Sequence, residues 1–118
     1  MRKITQDSIK AFMNESNFKR GNTEVKVSYI DNNIDSNAPY EPITVITDLL
    51  LHGNIIATAT KKFNNGKYET TITITSAGWK TVTTKERLNG LNGVNIVQRN
   101  FEWFLNGEKW NGGEIRIY

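Results

Sequence analysis

No cysteine occurs in the 118 residues. Disulfides, thiol nucleophiles and Cys-ligated metals are therefore excluded. A chain without thiols suits a reducing compartment. The sequence holds a single histidine, His52. That removes His-ligated metal clusters and Cys–His pairs, and leaves a Ser–His–Asp triad only His52 to use. His52 sits beside a reversal, which favours a solvent-exposed turn residue over a catalytic one. No P-loop and no Gly-x-Gly-x-x-Gly pattern is present. Carboxylates are scattered, so a pair such as Asp48 with Glu69 or Glu102 could meet only through the fold. No apolar run approaches membrane-spanning length, and the N-terminus carries no signal-peptide core. These absences describe a non-enzymatic protein with no cofactor, no metal and no membrane segment.

The length is that of about one domain. A net charge of +3 and a pI near 9.2 are mildly basic. They permit a nucleic-acid or acidic protein partner without demanding one. Thr5 is positioned to cap a helix over about Gln6 to Asn14, with Asp7 in its first turn. Ile9, Phe12 and Met13 fall on one helical face. Phe18 packs back on the core. Gly21-Asn22 turns the chain into a strand from Thr23 to Ile30, where Val25, Val27 and Tyr29 alternate with polar residues. Asp31 to Pro42 is polar, carries both prolines and reads as a loop.

Ile43 to Leu51 is a second strand. Its Leu49-Leu50-Leu51 run lacks alternation, which suits a central strand covered on both faces. Gly53-Asn54 reverses the chain into Ile55 to Lys61. Asn65-Gly66 is a two-residue hairpin signal leading to Lys67 to Thr75. Val94, Ile96 and then Phe101 to Leu105 follow. Asn106-Gly107 makes a further hairpin, which places Trp103 opposite Trp110 as a buried cross-strand pair. Ile115 and Ile117 form a closing strand. The sum is α+β: a twisted antiparallel sheet of short strands, an N-terminal helix on one face, and a short second helix near 84–89.

That second helix lies in the segment from Ser76 to Leu91, where the chain changes register. Thr83-Thr84-Lys85-Glu86 fits a capping box, with Glu86 reaching back to the Thr83 amide. Gly90 stands where a left-handed residue ends a helix. Leu88 and Leu91 share the buried side. Lys85 falls in the first turn, with Lys80 before it and Arg87 after it. Cations beside a helix N-terminus are unfavourable unless an anion sits there. The opposing reading is that Glu86 neutralises the neighbourhood and the lysines point to water. Trp79, in the turn leaving a strand, is a lid over the core or, failing that, an exposed contact residue. The candidate binding surface is thus Trp79, Lys80, Thr83, Thr84, Lys85 and Arg87. A second basic group is Lys61, Lys62 and Lys67; Arg99 stands apart.

Several segments together resemble small proteins encoded by tailed bacteriophages: Gly21 to Val25, Leu49 to Ile56, the Thr-Thr-Lys-x-Arg-Leu-Asn helix at Thr83 to Asn89, and the Trp-x-Leu-Asn-Gly-x-x-Trp hairpin at Trp103 to Trp110. The resemblance covers most of the chain and brings no functional residue with it. It implies a phage accessory protein in the host cytoplasm. Such a protein would bind a host or defence-system protein as a stoichiometric, anti-CRISPR-like inhibitor. Nucleic acid is the alternative partner, held by Lys80, Lys85 and Arg87 on phosphates. A small enzyme depending on His52 is the third reading.

Overall fold

A computed structural model describes residues 1–30, 44–64 and 66–118. The proposed loop from Asp31 to Pro42, the start of the second strand at Ile43, and Asn65 of the hairpin signal lie outside the described residues. The elements run α1 (Lys3–Met13), β1 (Phe18–Arg20), β2 (Thr23–Ile30), β3 (Thr44–Leu51), β4 (Asn54–Asn64), β5 (Lys67–Ile74), α2 (Val82–Leu88), β6 (Ile96–Arg99), β7 (Glu102–Leu105), β8 (Glu108–Lys109) and β9 (Ile115–Arg116). The class is α+β, as expected, but the strands divide into two antiparallel sheets. Six strands lie in the order β1-β2-β3-β4-β5-β9, and three in the order β6-β7-β8.

Strand register builds the core. Val25, Leu49, Ala57 and Ile74 stand side by side across β2 to β5, and each is at most 1% exposed. Side chains two apart share a face, so Leu51 and Ile72 extend this apolar patch. α1 packs over it on β2 and β3. β3 is a central strand, and its Leu49-Leu50-Leu51 run is buried throughout. A bulge between Leu49 and Leu50 shifts its register with β4. One hydrophobic cluster continues from this patch through Leu88 and Leu91 to Trp103, Leu105 and Trp110 of the small sheet. Trp103 and Trp110 meet as expected, with ring centroids 6.0 Å apart. The Trp110 amide donates to the Trp103 carbonyl at 2.9 Å, and its indole N–H donates to the Gly113 carbonyl at 2.9 Å.

Several local expectations change. α1 begins at Lys3, and Thr5 is fully buried instead of capping it. Thr5, Ser8 and Phe12 are the buried positions, while Met13 is half exposed. Phe18 packs against the core as expected, and it does so from an edge strand that pairs with β2. The reversal after β3 is centred on His52 and Gly53, both at positive φ, with Asn54 already paired to Leu51. Phe101 is not in a strand. Asn100 and Phe101 form the turn between β6 and β7, at φ 50° and 65°.

The second helix shifts most. Its cap is Thr81, in extended conformation, whose hydroxyl accepts from the Thr84 amide at 3.1 Å. Thr83 is therefore inside the helix, and Glu86 lies beyond the position a capping box requires. Gly90 is not at positive φ. Its role is close approach: a Cβ there would come within 2.7 Å of Ile9 Cγ1 and 2.9 Å of Thr5 Cγ2. A glycine is what lets α1 and the end of α2 touch.

Candidate functional site

The Ser76–Trp79 segment is a tight turn. Ala77 and Gly78 take φ 55° and 84°, and the Trp79 amide donates to the Ser76 carbonyl at 2.9 Å. Consecutive left-handed residues define a type I′ turn. Hydrogen bonds from its own amides hold it: the Ser76 amide donates to the Gly112 carbonyl at 2.8 Å, and the Ala77 amide to the Thr75 hydroxyl at 3.1 Å. Trp79 leaves this fixed turn 62% exposed. It stands at the surface and is not a lid over the core.

The six candidate residues separate. Lys80 is exposed, Thr83 and Lys85 are half-buried, and Thr84 and Arg87 are 1% exposed. Arg87 does not reach the surface. Its Nε donates to the Thr23 hydroxyl at 3.0 Å, and its Nη1 donates to the Thr5 hydroxyl at 2.7 Å and to Glu86 Oε2. Thr5 in turn donates to the same carboxylate oxygen. This network joins α1, α2 and β2. Burial pushes the Glu86 carboxyl upward, but the Thr5 hydroxyl, the Arg87 guanidinium and the Arg2 amide together hold it below the ordinary range. The carboxylate thus sits at the start of α1, which has no acidic residue in its first turn and no side-chain cap. It supplies the negative charge the helix dipole favours there.

With α2 beginning at Val82, Lys85 lies in the last turn, where a cation is favourable. The unfavourable placement that suggested an anion site is therefore absent. In the other basic group, Lys61 pairs with Glu15 at 3.1 Å. Lys80 and Lys85 remain as the cations of the proposed patch.

Two concavities adjoin this part of the chain: Trp79 lines the first and Lys80 the second. The first has a volume of about 360 Å³. Leu51 and Ile56, 5% and 1% exposed, form its apolar floor. Ser76 and Trp79 line one side. Thr81, Thr83 and Thr84 line another, and the β3–β4 turn closes it with His52 and Asn54. Thr81 and Thr84 spend their hydroxyls on each other at 2.9 Å. The second concavity, about 500 Å³, has Lys80, Phe101 and Trp110 in its wall, together with a Lys109–Glu102 pair at 2.9 Å. Phe101 stands 95% exposed at its edge.

Phe101 was not among the sequence-derived candidates, and His52 entered only as the residue of the third, enzymatic reading. His52 was visible in the sequence as a turn residue, but its convergence with Trp79 is long-range. Phe101 looked like a strand residue, and no local signal marked it as a turn tip. The His52 ring has the Asn22 amide 3.4 Å from Nε2, and among the described residues no carboxylate holds it. Nor, among the described residues, do three His, Cys, Asp or Glu side chains gather where a metal ion could bind. No described helix is long and apolar enough to cross a membrane.

A family model described as Kyanoviridae Gp96 protein matches residues 1–116. Among curated proteins and among solved structures, no match was found.

Proposed function

The chain belongs to the Kyanoviridae Gp96 family of phage proteins, and from that premise we propose that it works by stoichiometric binding to a host or defence-system protein in the host cytoplasm. It acts by occlusion and turns over no substrate. One observation carries the reading. Phe101, a bulky residue, is held in a left-handed turn and presented almost wholly to water. Such a conformation is unfavourable by roughly 1–3 kcal/mol and tends to persist where it serves a site. Lys80 lines the same concavity as Phe101, and the exposed Trp79 immediately precedes it in the chain. An exposed aromatic and a cation on one concavity, with a second exposed aromatic next to the cation in the chain, have the composition of a protein-contact surface, where aromatic anchors dominate affinity.

The test uses the purified chain and its Phe101→Ala and Lys80→Glu variants. Wild type should capture one defined host protein at fixed stoichiometry and inhibit it to saturation. Both variants should lose capture while melting at the wild-type temperature or above. Multiple turnover of any substrate by trace protein would overturn the reading. So would capture that both variants retain. A gel shift that weakens steeply with salt and is lost in Lys85→Glu would reassign the partner as nucleic acid.

A further inference from the structure

The concavity beneath Trp79 has a chemistry different from the surface just described. We propose that it is a binding site for an uncharged carbohydrate ring. This inference shares Trp79 with the protein-docking reading but does not rest on it, since it uses neither Lys80 nor Phe101.

Its volume of about 360 Å³ lies at the small end of the range for ligand pockets, enough for a ring or two. The floor of Leu51 and Ile56 belongs to the packed core, so the cavity is preformed. No carboxylate, ammonium or guanidinium group lines it. A phosphate or carboxylate ligand would find no carboxylate-pairing ammonium or guanidinium there, and His52 is the single ionisable side chain among the described residues of the lining. The occupant is therefore neutral.

The rim keeps hydrogen-bonding capacity in reserve. Among the described residues, the Thr83 hydroxyl, the Asn54 amide and the Trp79 indole N–H have no side-chain partner. These groups offer both donors and acceptors. Trp79 adds a single indole platform at the mouth, and its position is set by the rigid Ser76–Trp79 turn. Ala77 holds that turn at φ 55°, a left-handed value at which L residues are uncommon. A pyranose ring matches this arrangement. One face of C–H groups lies on the indole, the hydroxyl edge meets Asn54 and Thr83, and the other face stays in water. A nucleobase is flat and apolar on both faces and gains most between two rings. Here the second ring, His52, has its edge engaged by the Asn22 amide.

The test is a ¹H–¹⁵N NMR titration of the full chain. One arm uses glucose, galactose, mannose and N-acetylglucosamine, a second uses neutral nucleosides, and a third uses inorganic phosphate. At least one sugar should shift the Trp79 indole and Asn54 amide signals saturably, in the millimolar range expected of a single small ring. Trp79→Ala and Thr83→Val should each weaken this binding tenfold or more. The indole signals of Trp103 and Trp110 should stay in place and report an intact fold. Absence of a saturable shift with every sugar would overturn the proposal. So would shifts from nucleosides or phosphate alone, or sugar binding that survives Trp79→Ala. Failure of the docking reading leaves this titration unaffected, because Phe101→Ala should bind the sugar as wild type does.

Discussion

At the scale of single residues, Arg87 is where the sequence reading and the structure part most. A lone arginine in a run of threonines and lysines reads as a surface cation. In the fold it is buried and tied to Thr5, Thr23 and Glu86. Its net contribution is limited, because Arg87 Nη2 and Glu86 Oε1 are buried without partners among the described residues. Breaking the pair is still expensive, because an uncompensated charge remains behind. Arg87→Met should therefore destabilise the protein by about 3 kcal/mol, as read from the urea midpoint. Glu86 also sets an acid limit. Its folded pKa lies below the ordinary 4.5, so the unfolded chain binds more protons between the two values. The contribution of Glu86 is complete above about 4.5 and is lost as pH falls through the folded pKa. Asp7 acts in the same direction: hydrogen bonding from Arg20 lowers its carboxyl against a smaller opposing effect of burial, and Lys3 lowers it further. Glu86→Gln should flatten the fall of thermal stability with acid below that pH, which calorimetry across a pH series would show.

At the scale of elements, turns and caps decide what the chain presents. The true cap of α2 is Thr81, so Thr81→Ala should lower stability by about 1 kcal/mol. Thr83→Ala should leave it within roughly 0.5 kcal/mol, as expected of a position with no cap or core role. The reverse order in denaturant unfolding would restore the capping box at Thr83. The β6–β7 turn makes a sharper case. Glycine adopts φ 65° without the strain that phenylalanine incurs there. Phe101→Gly should therefore stabilise the chain by about 0.5–1 kcal/mol in the same assay, offset only in part by glycine's greater unfolded entropy. It should also abolish partner capture. Stability gained with function lost is the pattern expected of a strained residue kept for contact. Most strands and turns were legible in advance: β2 has the expected bounds, and the Trp103–Trp110 hairpin has the expected pairing. Alternation and turn-forming pairs are local signals, and they carry register without knowledge of the rest of the fold.

At the scale of the whole molecule, one hydrophobic cluster spans both sheets and both helices. The small sheet therefore should not unfold by itself. Thermal unfolding followed by near-UV signal from Trp103 and Trp110 should coincide with far-UV loss from the large sheet. Two separated transitions would show that the sheets hold together independently. By itself the sequence determined the α+β class, the hairpins, the lack of thiols and the single imidazole, because composition and short-range periodicity are properties of neighbouring residues. Tertiary structure alone decided which polar side chains meet water. Thr5, Thr84 and Arg87 look soluble in one dimension and are interior in three, while Trp79 and Phe101 look like core and are exposed. Burial depends on which elements pack across distant stretches of chain, and no local pattern carries that information.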